Sequence, residues 1–214
     1  MSYTYTEVTS LDDWNETAWT RCLTESWASL QTSMDWSAFL STRIGIESGD
    51  TSVTVNHADY TDAQKQNHLW QYVRNGVTGQ DSMVMYLLKD AHIVHIILCT
   101  IDRDETNGNT LSINFFIAGR DADGNKGYIE SDVITQRKAF RAFVRQEAYN
   151  IKNVEIKLCN VANAHAMANH YTRHYKNASS VQSYDERTTE YGGSTRTMGM
   201  TKHVLPTDDS DLEG

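Results

Sequence analysis

Three β-rich runs, at residues 82–88, 92–101 and 110–117, follow one another with only residues 89–91 and 102–109 between them. That spacing constrains the fold more than any other feature of the chain. A parallel crossover needs a dozen or more residues, so connectors this short join antiparallel neighbours, and the three runs form a meander. Asn107-Gly108 in the second connector is a hairpin-turn dipeptide, because both residues tolerate positive φ. On either side the hydrophobic period is helical. Upstream, Leu11, Trp14, Trp19, Leu23, Trp27, Leu30 and Met34 recur three to five residues apart, which predicts two helices over 11–45 with a break near Thr32 and Ser33. Ser10 and Ser33 are the expected N-caps. A loop with a short strand at 53–55 covers 45–59, and a third helix starts at the Thr61-Asp62 cap and stops at Gly76.

Downstream, residues 119–127 read as a loop, after which Val133, Ile134, Ala139, Phe140, Phe143, Val144 and Ala148 share one helix face behind a Ser131-Asp132 start signal. A strand at 154–159, a helix at 162–175 and a hairpin over 181–204, turning between Tyr191 and Ser194, complete the order. The helix over 131–149 is long enough to return the 154–159 strand parallel to 110–117 as a right-handed crossover. The expected class is α/β: a mixed sheet made of an antiparallel meander, a βαβ crossover and a closing hairpin, flanked by helices. A single domain covers 1–206, with its helical N-terminal part at 11–76. An acidic tail, 207–214, follows Pro206, the sole proline.

With 28 acidic against 19 basic residues the formal charge is −9, which argues against general affinity for nucleic acid, whose phosphates call for a stripe of Lys and Arg. The longest apolar run, 93–99, is interrupted by His95, whereas a membrane-spanning helix needs about 20 apolar residues. Residues 1–7 are polar and carry no secretory pattern, so the expected location is cytoplasmic. Cys22, Cys99 and Cys159 form no CxxC pair and read as reduced, buried thiols. Partners are expected to be other proteins or further copies of the chain, with no nucleic acid and no membrane.

The order of elements, together with Lys157-Leu-Cys-Asn160 leading into Asn163-Ala-His-Ala166 and on to Tyr171, resembles the GCN5-related N-acetyltransferase (GNAT) superfamily over roughly residues 8–204. The resemblance implies coenzyme A in a cleft where two adjacent parallel strands splay, with its pyrophosphate on backbone N–H groups between the fourth strand and the next helix. Arg120, Gly124, Lys126 and Gly127 are the cofactor-binding residues it implies here, with Arg137 as a further cation and Tyr171 as general acid to the leaving thiolate. The stretch 119–130 departs from the family spacing Arg/Gln-x-x-Gly-x-Gly/Ala and sets Asp121, Asp123 and Glu130 where a phosphate would approach. Two like charges about 4 Å apart repel by roughly 4 kcal/mol at an effective dielectric near 20, enough to turn micromolar affinity into millimolar. Two function classes follow. One is a non-catalytic GNAT-like protein serving assembly, with no cofactor, a type also found among bacteriophage proteins and virion components. The other is an acetyl-CoA-dependent N-acyltransferase acting on an amine. The acidic loop favours the first, with a virion location if the chain is phage-derived.

Other chemistry is thinner. Asp121-x-Asp123-x-Asn125 opens like a calcium loop, but Lys126 and Asp132 stand where that loop needs Gly and a bidentate Glu. His170 and His174 share a helix face near His165, yet no cysteine pair or HExxH accompanies them. Asn114 and His95 are polar positions on the meander, where no strand carboxylate stands out as a general base. Purified protein should therefore contain no stoichiometric zinc and keep its melting temperature in chelator; one equivalent by elemental analysis would refute this reading.

Overall fold

The computed structural model describes residues 2–126, 133–157, 181–191 and 194–204. The three β-rich runs form β2 (Ser82–Lys89), β3 (His92–Asp102) and β4 (Asn109–Ala118), each antiparallel to the next as the short connectors require. A strand absent from the sequence reading, β1 (Tyr3–Val8), lies antiparallel along β2. Three helices separate them in sequence: α1 (Glu16–Ser33), α2 (Trp36–Ser48) and α3 (Asp62–Thr78). After β4 come α4 (Val133–Val144), β5 (Ile151–Lys157), β6 (Val181–Tyr191) and β7 (Ser194–Val204). The strands form one sheet in the order β1-β2-β3-β4-β5-β7-β6, so β1 and β6 are its edges. The β4–β5 pair is parallel, with α4 between the two strands in the chain, as predicted. The closing hairpin seats β7, not β6, against β5.

Side chains alternate across this sheet, and both faces of the central strands are covered. On one face Val84, Tyr86, Ile96, Leu98, Phe115 and Ile117 join Trp19, Leu23, Phe39, Leu40, Leu69 and Val73 from α1, α2 and α3. On the other, Met83, Met85, Ile97, Cys99 and Leu111 pack with Phe143 and Val144 of α4. The Trp residues serve as core anchors: the Trp36 ring packs against Trp27 and Phe39, and Trp36 Nε1 donates to the Leu30 carbonyl at 3.1 Å.

The helix boundaries differ from the expected ones for local reasons. Ser10 does not cap a helix. Its hydroxyl and that of Thr9 donate to the Asp13 carboxylate, at 2.9 and 2.8 Å, in a separate turn, and Asn15 caps α1 instead, accepting from Ala18 N. Likewise Asp35, not Ser33, caps α2, accepting from Ala38 N at 3.0 Å. Helix α2 continues past Gly45 to Ser48, and residues 53–55 form no strand; Val55 N donates to the Ser41 hydroxyl. Thr61 caps α3 as expected, in a capping box with Gln64, but the helix passes through Gly76. A Cβ there would lie 2.2 Å from Leu98 Cδ1, so Gly76 lets α3 approach β3 and does not end the helix. Helix α4 stops at Val144, short of Tyr149, and residues 145–150 turn toward β5. The Tyr149 hydroxyl donates to Glu7 on β1 at 2.5 Å, tying that turn to the N-terminal strand.

Phe39 is buried among Trp36, Tyr72 and Phe115. Truncating it to alanine removes contacts to helix and sheet at once, and Phe39→Ala should cost about 3–5 kcal/mol in denaturant titration. A loss below about 1 kcal/mol would contradict the packing described.

Candidate functional site

Among the described residues the β4–β5 ladder runs from Asn109–Ile151 to Ile113–Ile156, one residue short of the last described residue of β5, Lys157. The other edge of β5 pairs with β7, Lys157 opposite Met200. At the same level the β3–β4 register slips: Leu98 faces Phe115 and Cys99 faces Ile113, which leaves Asn114 as the extra residue of a β-bulge. A bulge bends its strand and re-aims the residues beyond it. Asn114 Nδ2 donates to Thr100 Oγ1 at 3.2 Å. In open α/β sheets ligands collect beyond the carboxyl ends of parallel strands, and residues 114–118 form that end of β4.

The chain leaves β4 into the acidic loop. Gly119 runs so close to α1 that a Cβ would meet Cys22 Sγ at 2.6 Å. Its neighbour Arg120 donates its backbone N–H to Glu25 at 2.6 Å, and Glu25 pairs with Arg21. A tight turn follows, closed by an antiparallel bridge between Arg120 and Lys126, with Gly124 at φ +79°. Asp121 organises it. One carboxylate oxygen accepts the backbone N–H groups of Asp123 and Asn125, at 3.0 and 2.8 Å; the other accepts from Lys89 Nζ at 2.7 Å. The two side chains of this ion pair are only 6% and 4% exposed. The Lys89 hydrogen bond holds the Asp121 carboxyl well below its usual range, at about 2.

For Asp121 the electrostatic expectation does not hold. Asp121 does not face solvent beside an incoming phosphate. It is turned into the protein and neutralised by a lysine from β2, while Asp123 stays exposed. Residues opposite each other in an antiparallel bridge project from the same side, so Arg120 and Lys126, both exposed, form a cross-strand pair of cations. The Arg120 guanidinium also donates to the Gly124 carbonyl at 2.8 Å. Three of the four cofactor-binding residues expected from sequence therefore share one turn at the end of β4. Gly127, Tyr171 and the histidine helix lie outside the described residues, and Arg137 is placed on α4 by its backbone.

His95 is fully buried on β3 opposite Ala118, its ring 4.5 Å from that of Phe116, and neither nitrogen has a partner among the described residues. Burial pushes its pKa down to about 3, so the imidazole is neutral. Burial raises the Cys22 thiol to about 11 and the Cys99 thiol further, consistent with inert core cysteines. No cluster of metal ligands occurs among the described residues, and no helix among them is long and apolar enough to cross a membrane. Sequence reasoning missed Lys89 because nothing local marks it; its one signal is a lysine ending an otherwise apolar strand.

The strand order, the parallel β4–β5 pair joined through α4 and the closing hairpin give the chain the GNAT-like mixed sheet expected from its sequence. No protein-family profile and no curated protein matches the chain. Among solved structures, it is similar to a Salmonella typhimurium acetyl transferase that modifies the N-terminal serine of a 50S ribosomal subunit protein (9% identity over 96% of both chains, TM-score 0.49). A second is the microcin self-immunity acetyltransferase MccE in complex with acetyl-CoA and AMP (13% identity, 94% of this chain and 93% of that one, TM-score 0.49). A third is the PaiA N-acetyltransferase of Thermoplasma acidophilum with coenzyme A (12% identity, 96% and 100%, TM-score 0.47). Likenesses this distant assign no activity.

Asp121 ionises more readily in the folded chain than in the unfolded one. Its stabilising contribution is therefore complete above its ordinary value of 3.8 and is lost as pH falls toward 2. Asp121→Asn has no carboxyl to titrate there, so it should melt lower than wild type at neutral pH and lose less stability between pH 4 and 2. Parallel melting-temperature profiles for the two proteins would refute the assignment.

Proposed function

We propose that the chain is an acyltransferase that takes an acyl group from a coenzyme A thioester and passes it to an amine. The observation that carries this reading is the inward ion pair of Asp121 with Lys89, which leaves Arg120 and Lys126 as neighbouring cations on the turn at the end of β4. Like charges set opposite each other are unfavourable unless they share a counter-ion, and a diphosphate is a suitable one. The donor set thus fits the phosphates of coenzyme A. Residues 114–118 lie at the carboxyl end of β4, where sheets of this kind receive a ligand's extended arm. When bound, the thioester supplies the activated acyl group. In this reading Arg120 and Lys126 hold the phosphates, β4 orients the arm, and Tyr171, from the family resemblance, protonates the departing thiolate.

One observation favours the second reading, a non-catalytic protein that serves assembly, in a virion if the chain comes from a phage. The N–H groups of Asp123 and Asn125 are already taken by the Asp121 carboxylate, and part of the Arg120 guanidinium by Gly124, so the turn offers a phosphate fewer donors than a free glycine loop would. In that reading the partners are proteins and the chain needs no cofactor.

Calorimetric titration with coenzyme A and acetyl-CoA separates the two. The acyltransferase reading expects micromolar binding, about fivefold to twentyfold weaker in Lys126→Ala, with amine-dependent thiol release that Tyr171→Phe slows. Absence of binding at millimolar ligand would sink it in favour of the assembly role.

A further inference from the structure

We propose that Lys89, thirty-two residues upstream of Asp121 and on a different strand, is a positioning residue for phosphate binding: it sequesters the loop's own carboxylate so that the Arg120–Lys126 face can accept a diphosphate. The inference rests on the coenzyme A reading and names a residue that neither the sequence motif nor the resemblance supplies.

The geometry carries it in three steps. Lys89 ends β2, whose preceding residues are almost all buried and apolar, and its ammonium lies inside the protein. A buried lysine is costly unless paired, so the charge needs a carboxylate. Asp121 meets that need and closes the turn with the same group, through the N–H groups of Asp123 and Asn125. The bridge that sets Arg120 against Lys126 spans the same turn, so one carboxylate couples the buried lysine to the outer pair of cations. Without the ammonium, Asp121 would keep its charge, with only the N–H groups of Asp123 and Asn125 to hold it against the cost of burial. It would rotate outward beside the two cations and compete there with any phosphate.

The test titrates coenzyme A, pantetheine (which has no phosphate) and inorganic pyrophosphate into wild type, Lys89→Met, Lys89→Arg and the double variant Lys89→Met with Asp121→Asn. An asparagine at 121 can still accept the two backbone N–H groups but carries no charge. The expected result is a loss of tenfold or more in coenzyme A and pyrophosphate affinity for Lys89→Met, with pantetheine unchanged. Lys89→Arg should stay within about threefold of wild type, and the double variant should recover most of the loss. If Lys89→Met does not fold, Lys89→Arg and the double variant still decide: both must bind coenzyme A nearly as wild type does, and a tenfold loss in either overturns the proposal. It also falls if Lys89→Met binds coenzyme A normally, or if every variant loses pantetheine in step with coenzyme A, which would mark a purely structural role. A wild type that binds neither coenzyme A nor pyrophosphate removes the acyltransferase reading itself. A wild type that binds both, with unmoved variants, removes only the role of Lys89.

Discussion

Burial of β2 and β3 on both faces, and of β4 through Leu111 and Ser112, is the constraint on which the other elements depend. Val84 and Met85, or Ile96 and Ile97, point to opposite sides of the sheet, and all four are buried. A sheet apolar on both sides needs two separate covers. Helices α1 to α3 supply one and α4 the other, so the long helical segment before the meander and the crossover after it are required by the same three strands. The parallel β4–β5 pair follows from where α4 must lie, and the bulge at Asn114 bends the end of β4.

Much of this could be read from the residues. The two-residue and three-residue periods separated helices from strands, connector length decided antiparallel against parallel pairing, and the Thr61 cap of α3 sat where its residue type placed it. What escaped was set by partners distant in sequence. Tyr3–Val8 is a polar stretch until β2 gives it a ladder. Gly76 looks like a helix stop until Leu98 occupies the place of its missing side chain. Val53 and Val55 have strand-like side chains but no strand beside them to pair with.

The acidic loop is the sharpest case of this kind. Sequence gives the number of charges in a segment and not the direction in which each one points. Asp121 and Asp123 are equivalent in the sequence, yet one closes a turn around a buried ammonium and the other stands in water. The difference was decided by Lys89, on a strand that leaves the loop's own neighbourhood with no trace of the pairing. Local composition therefore counted Asp121 among the charges the turn presents, where the fold removes it.

The position of β7 has a further consequence. Because it, and not β6, docks against β5, the last of the described strands is interior and the strand before it becomes the outer one of the described sheet. Open margins are where sheets of separate molecules join and aggregate, and natural proteins guard them with charge and short length. Among the described strands the margin is β6, which carries Asp185, Glu186, Arg187 and Glu190, and the opposite one, β1, is only six residues long. The swap thus places the more charged strand of the hairpin on guard and keeps the methionine-bearing strand, with Met198 and Met200, inside the ladder.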